Sequence, residues 1–281
     1  MKKLITLSCT ALLISCGGNT AKSPDTVEAK TDSVKKETVT QPTNELADFE
    51  FHALVINVPS PLDIITLLPK AGLTFNKSLI NATENESKYT TTTKKGLNYG
   101  SYIVDLVYLS TNEQFSTVKN YFKTSRNLAQ SLGCAESFDN IAGSRLENNI
   151  DKKDTINKVI DQIYTEMDGY LRSNDRLLTA TQILVGSWIE SQYITIGLIK
   201  DQPKNKQNEV LFQKVAEQNF TSQKLVELLK EYEKEKDFKS VIAGVSELDK
   251  LYSNIKNGEV DAAFLQKLHA KLGEVRSKIV N

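Results

Sequence analysis

The sequence predicts an all-α protein that follows a signal peptide and an N-terminal tether. From about residue 75 onward, apolar residues recur at spacings of three and four positions, and Gly, Asn or Pro stands at most of the breaks. No repeat of fixed length is present, which argues against a solenoid of equal repeats. We therefore expect about nine or ten helices of unequal length, arranged as a multi-helix bundle or as stacked helical hairpins.

The first sixteen residues have the architecture of a bacterial export signal. Two lysines follow Met1, and an uncharged apolar stretch too short to span a bilayer comes next. The run Leu13-Ile14-Ser15-Cys16 then resembles the lipobox of bacterial lipoproteins. This resemblance implies that residues 1–15 are cleaved and that Cys16 carries diacylglycerol and fatty acid. The alternative is an ordinary secretory signal followed by a chance cysteine.

The lipobox also predicts a location in the cell envelope, where the lipid on Cys16 holds the chain to a membrane. Position 17 is a glycine and not an aspartate. By analogy with lipoprotein sorting in enteric bacteria, this favours the outer membrane over retention at the inner membrane.

Charge and cysteine content restrict the classes of function. The chain has 35 basic and 35 acidic residues, and cleavage removes two lysines, so the mature chain is slightly acidic and has no nucleic-acid signature. Cys134 would be the one free thiol of the mature chain, so no intramolecular disulfide is expected. We interpret Cys134 as a small buried apolar residue, with a reactive nucleophile as the alternative.

The mature chain divides into a tether and one domain. Residues 16–45 are rich in Ser, Thr, Lys, Glu and Pro and predict disorder. Residues 46–281 form the predicted single helical domain, which opens with a lone strand or a docked extended segment over 49–58 and a short helix from Ser60 to about Leu68. Further helices are predicted over 75–88, 92–110, 112–132, 135–149, 152–173, 175–200, 205–219, 221–234, 236–255 and 259–279.

The segment 177–199 is the most apolar part of the predicted domain. It contains one charged residue, Glu190, and its length suggests a transmembrane helix. However, Thr, Ser and Gln recur on every turn, and Glu190 lies near its middle. We interpret the segment as the central buried helix of the bundle, with membrane contact as the alternative.

Two helical faces carry polar residues that are costly to bury. Gly186, Glu190, Tyr193 and Gly197 share one face, and the glycines would allow a backbone or a ligand to approach closely. On the segment 92–110, one face carries a similar set of polar residues, namely Asn98, Tyr102 and Asp105. A buried acid must be hydrogen-bonded or paired, so each of these faces needs a partner.

These faces suggest a ligand pocket. Its predicted lining comprises Asp105 and Glu190 together with Tyr102, Tyr193, Trp188 and Asn98, and its ligand would be small and polar or cationic. The alternative is structural: tyrosine hydroxyl groups, Arg145 or backbone amides would satisfy the two acids, as happens in many large helical domains.

Several runs resemble a group of uncharacterised all-helical lipoproteins from Bacteroidetes. The runs are Tyr99-Gly100-Ser101-Tyr102-Ile103-Val104-Asp105-Leu106, Leu146-Glu147-Asn148-Asn149, Tyr170 to Arg176, and Gly186-Ser187-Trp188-Ile189-Glu190, so the likeness covers roughly residues 90 to 200. Ser187 and Ser191 stand where that group usually has glycine. The resemblance implies export and an all-α fold, and it implies no activity.

Motifs for catalysis, metals and cofactors are missing from the sequence. The two histidines, His52 and His269, lack a His-x-x-Glu spacing, and there is no nucleophile elbow, phosphate-binding loop or dinucleotide motif. We therefore expect no metal, no cofactor and no enzymatic activity. The sequence favours an exported, lipid-anchored helical domain that engages an envelope protein. The alternative is a receptor or carrier for a small ligand held around Asp105 and Glu190.

Overall fold

Nine α-helices and three short 3-10 helices make up the part of the chain that the structure describes. This computed structural model describes residue 60, residues 62–147 and residues 152–281, with the backbone alone for residues 142–147. Within those ranges there is no strand, and the all-α prediction is confirmed. The α-helices are α1 (Asp63–Leu67), α2 (Thr92–Thr111), α3 (Phe115–Ser131), α4 (Ala135–Glu147), α5 (Lys153–Ser173), α6 (Leu177–Ile199), α7 (Glu209–Leu229), α8 (Lys239–Tyr252) and α9 (Ala262–Val280), and the 3-10 helices are Lys77–Leu79, Thr83–Lys88 and Lys230–Tyr232.

The predictions for the N-terminal part of the chain lie outside the described residues. These are the signal peptide over 1–15, the tether over 16–45 and the strand over 49–58. The short helix that we predict after them is present as α1, and the Oγ of Ser60 accepts a hydrogen bond from the backbone N–H of Leu62 at 3.2 Å.

Helices α2 and α6 form the centre of the fold and pack backbone against backbone. A Cβ atom added to Gly100 of α2 would lie 2.8 Å from the backbone nitrogen of Ser187. A Cβ atom added to Gly186 of α6 would lie 2.7 Å from the carbonyl carbon of Leu97 and closer still to its oxygen. Glycine is therefore required at both positions, because any side chain would force the two helices apart.

The other helices surround this central pair. Helix α2 is also packed against α1, α3 and α5, while α9 lies along α6 and contacts α2. Helix α8 packs against both α7 and α9, and α4 packs against α3 and α5. Most helices that follow each other in sequence are therefore neighbours in space, as expected for a chain with short connections.

Helix α6 is enclosed by its neighbours along almost its whole length. Its buried residues include all positions from Thr179 to Gln192, so this stretch has no solvent-exposed face. This confirms the interpretation of segment 177–199 as a central buried helix. Among the described residues, no helix meets the length and apolarity that a membrane span requires.

The structure corrects the prediction of a helix over 75–88. This segment contains the first two 3-10 helices instead of an α-helix. The backbone N–H groups of Asn76 and Asn81 donate to the side chains of Tyr108 and Asp105, at 2.8 Å and 3.0 Å. In a continuous α-helix the N–H of Asn81 would bind a backbone carbonyl, whereas here it is bound by a side chain of α2.

A second correction concerns the two helices predicted over 205–219 and 221–234. The chain forms one continuous helix here, α7, and the polar residues that suggested a break lie inside it. The Oγ of Ser222 donates to the Oδ1 of Asp249 on α8 at 2.7 Å. The polar stretch therefore binds α7 to α8 and does not end α7.

Candidate functional site

A buried polar cluster lies where α2, α6 and α9 meet the segment between the first two 3-10 helices. We call it the acid cluster, and its members are Asn81, Asn98, Asp105, Glu190 and Arg276. The first four are at most 2% exposed, and the side chain of Arg276 is 11% exposed. The structure thus brings the two predicted acids into one site and seals that site from solvent.

Glu190 is paired with Arg276 in a bidentate salt bridge. The Nε of Arg276 lies 2.7 Å from Oε2, and its Nη2 lies 2.6 Å from Oε1, so both oxygens of Glu190 accept a charge-assisted hydrogen bond. The guanidinium group also lies over the ring of Tyr193, 4.6 Å from the ring centroid. His269 stacks on the Tyr193 ring, with 4.6 Å between ring centroids. Tyr193 therefore helps to hold Arg276 in place.

Asp105 has a different environment from Glu190. Its Oδ2 accepts a hydrogen bond from the backbone N–H of Asn81 at 3.0 Å, whereas its Oδ1 is buried and no donor reaches it. Burial and then the nearby charge of Glu190 raise the pKa of Asp105 well above its usual range, and the opposing effect of Arg276 is smaller. The side chain of Glu190 also lies close enough to Asp105 to favour the protonated form of Asp105.

The two asparagines of the acid cluster connect it to the last turn of α9. The Nδ2 of Asn81 donates to the Oδ1 of Asn98 at 3.1 Å and to the hydroxyl of Tyr89 at 2.9 Å. The Nδ2 of Asn98 donates to the carbonyl oxygens of Lys94 and Ile279, at 2.9 Å and 2.8 Å. All of these groups are thus satisfied by the protein itself.

Two of the remaining predicted site residues border the acid cluster, and one does not. The hydroxyl of Tyr102 donates to the carbonyl of Ala82 at 2.7 Å, and burial raises the pKa of Tyr102. Tyr193 contacts Arg276, as described above. In contrast, the Nε1 of Trp188 donates to Oε1 of Gln218 on α7 at 2.8 Å, and its ring lies beside Tyr252 of α8. Trp188 therefore faces away from the acid cluster.

The sequence reasoning missed the residue that pairs with Glu190. The predicted partners of the two acids are tyrosine hydroxyl groups, Arg145 or backbone amides. The side chain of Arg145 lies outside the described residues, and the observed partner of Glu190 is Arg276. A signal was present, because Arg276 stands on the apolar face of α9 between Leu272 and Ile279, which are both buried. A charged residue on the buried face of an amphipathic helix predicts a buried partner of opposite charge.

Cys134 is buried, as the sequence analysis expects of a small apolar residue. It is 1% exposed, and its Sγ lies 3.5 Å from Nη1 of Arg176. Burial raises the pKa of the thiol in spite of this neighbouring cation. A buried thiol with a raised pKa is a poor nucleophile. Among the described residues, no group of three or more His, Cys, Asp and Glu side chains is arranged to hold a metal ion.

The surface carries a groove between α8 and α9. Its volume is about 330 Å³, and it is lined by Glu247, Lys250, Leu251, Lys267, Ala270, Lys271 and Glu274. Lys271 bonds with both glutamates of the lining, so its charge is already compensated. Lys250 and Lys267 add positive charge to the lining. The groove therefore combines two aliphatic side chains, Leu251 and Ala270, with an excess of positive charge.

Comparison of this chain with protein-family models, with curated proteins and with solved structures gave no match.

Proposed function

We propose that this chain is an exported lipoprotein whose helical domain acts by binding a protein partner at the cell envelope. The lipobox-like run that ends at Cys16 supports the membrane anchor, and the mixed composition of residues 16–45 suits a spacer between lipid and domain. The outer membrane is the favoured location, since residue 17 is a glycine.

The closure of the acid cluster is the observation that favours partner binding over the binding of a small ligand in the cluster. Both oxygens of Glu190 are engaged by Arg276, and the side chains of Asn81 and Asn98 bond with groups of the same chain. A ligand would have to displace these buried contacts, which is costly because each displaced group would need a new partner. The cluster is therefore better suited to hold the helices together than to bind a substrate.

The groove between α8 and α9 is the surface that we assign to the partner. Its lining contains Leu251 and Ala270 together with Lys250, Lys267 and the ion-paired Lys271. Aliphatic side chains beside an excess of positive charge are complementary to a partner segment that carries an apolar side chain flanked by acids.

Lipid attachment is tested by metabolic labelling with a fatty acid in a bacterial host. The Cys16→Ala variant should take up no label and should leave the membrane fraction, while Cys134→Ala serves as the matched control and should behave as the wild type. A Cys16→Ala variant that still takes up label and still sediments with membranes would refute the anchor.

Partner binding is tested with a photo-crosslinking amino acid placed at Lys267 in the groove. The matched control carries the same amino acid at Lys206, which is exposed and lies outside the groove. We expect a discrete crosslinked species from position 267 in intact cells and none from position 206. Equal patterns from the two positions would contradict the assignment of this surface.

The alternative function is a receptor or carrier for a small ligand around Asp105 and Glu190. Thermal-shift measurements with amines, sugars and metal ions test it directly. A stabilising compound whose effect disappears in Glu190→Gln would favour this alternative over partner binding.

A further inference from the structure

The acid cluster contains two buried acids and one buried base. If both acids were ionised, the cluster would carry one uncompensated negative charge, because Arg276 is bound to Glu190 in the bidentate salt bridge. Asp105 and Glu190 are fully buried, so water cannot solvate that charge. In addition, the Oδ1 of Asp105 would be a buried acceptor without a donor. A single proton on Oδ1 of Asp105 neutralises the excess negative charge and turns this oxygen into a hydrogen-bond donor.

We propose that Asp105 and Glu190 share one proton and that this proton forms a pH-dependent latch between the central helices and α9. In the latched state, Asp105 carries the proton on Oδ1 and donates a hydrogen bond to the carboxylate of Glu190. Glu190 remains bound to Arg276, and the Oδ2 of Asp105 still accepts from Asn81. Release transfers the proton to solvent and leaves two carboxylates beside one guanidinium group. This inference does not depend on the proposed function.

Charged and titratable groups face Asp105 from several elements of the fold. From α2 and α3 these are the tyrosines Tyr102, Tyr108 and Tyr121, from α6 Glu190, and from α9 Arg276. Tyr89 follows the second 3-10 helix and bonds with Asn81. Asp63 of α1 interacts with Asp161 and Lys214, and Tyr164 of α5 interacts with Ser187 and Asp168. Arg276 is thus the cation that acts on Asp105 in the part of the chain that the structure describes.

The direction of the pH effect follows from the preference of the folded state for protonated Asp105. The folded chain holds the proton more tightly than the unfolded chain does, so the stabilisation is fully present below the ordinary aspartate pKa of about 3.9. It is lost as the pH rises through the higher pKa of the folded state. Between these two values, the unfolding equilibrium constant should rise about tenfold per pH unit from this group.

Urea unfolding of the full chain at several pH values tests this dependence. Asp105→Asn is the decisive variant, because the amide keeps an acceptor for Asn81 and offers an N–H donor to Glu190 without titrating. Its unfolding constant should lack the tenfold rise per pH unit. Asp237→Asn is the matched control, since Asp237 is exposed, and it should follow the wild type. Parallel pH profiles for the wild type and Asp105→Asn would overturn the proposal.

A measurement on the wild type keeps the proposal testable even if a variant folds poorly. The carboxyl carbon of Asp105 can be followed by NMR as the pH rises from acid to alkaline. We expect it to remain in the protonated form at pH 5, about one unit above the ordinary aspartate pKa. A carboxyl carbon that titrates at or below the ordinary value shows that no proton is shared, and it refutes the latch.

Hydrogen exchange shows whether the proton acts as a local latch. The last turn of α9 is held by Asn98 through the carbonyl of Ile279, and Arg276 lies one turn earlier. After correction for the intrinsic rate, protection in this turn and around Asn81 should fall with rising pH in the wild type and stay constant in Asp105→Asn. A loss of protection spread evenly over all helices would exclude a local latch.

Discussion

The contact between α2 and α6 gives the sharpest prediction about stability. In Gly186→Ala, the new methyl carbon would lie 2.7 Å from the carbonyl carbon of Leu97, where an ordinary contact needs about 3.5 Å. The carbonyl oxygen of Leu97 would lie closer still, so the central helices would have to separate by at least about 0.8 Å. A gap of that size removes roughly a quarter to a half of the dispersion energy of each contact across it. Alanine gains about 1 kcal/mol in helix propensity over glycine, so we expect a net loss of about 3 kcal/mol or more.

Gly169 of α5 provides the matched control for this substitution. A Cβ atom added there would meet nothing within 4 Å, so Gly169→Ala should gain stability by about 0.5–1 kcal/mol. Urea unfolding followed by circular dichroism measures both variants. Thermal unfolding should show Gly186→Ala lower in Tm by about 6–12 °C and Gly169→Ala slightly higher. If both variants shift in the same direction, the reasoning about backbone contact is wrong.

Three further predictions concern buried contacts. Glu190→Gln should lower the free energy of unfolding by about 3–5 kcal/mol, because it breaks the buried bidentate salt bridge of Arg276. Urea unfolding checks this, and Glu166→Gln, an exposed change of the same kind, should stay within about 0.5 kcal/mol of the wild type. Lys94→Met should speed hydrogen exchange in the last turn of α9 and lower stability by at most about 1 kcal/mol, since the Nζ of Lys94 donates to three carbonyl groups there; unchanged exchange would contradict this role. Cys134 should react with a thiol reagent only after denaturation, because it is buried and its pKa is raised; fast labelling of the native chain would show that it is accessible.

Much of the fold could be predicted from local pattern. The spacing of apolar residues placed most of the helices within a few residues, including the buried central helix α6. The prediction failed where tertiary contacts replaced local ones. Over 75–88, side chains of α2 bind the backbone. In α7 the polar residue Ser222 does not end the helix, because its hydroxyl donates a hydrogen bond to Asp249 of α8.

Part of the site was also present in the sequence. The helical period placed Asn98, Tyr102 and Asp105 on one face, and the structure confirms this, since all three point to the segment that contains Asn81 and Ala82. The partner of Glu190 was not found, because Arg276 lies 86 positions away and no local rule connects the two. Trp188 shares a helix with Glu190 but faces α7.

The sequence by itself determined the all-α class, the central apolar helix and the need to satisfy two acids inside an apolar environment. These follow from the period of the helix and from the cost of burying charge, both of which act within one segment. Only the tertiary structure decided how those acids are satisfied. Pairing of Glu190 with Arg276 and the placement of Asp105 beside them depend on the packing of α9 against α2 and α6, and that packing is determined by side chains far apart in the chain.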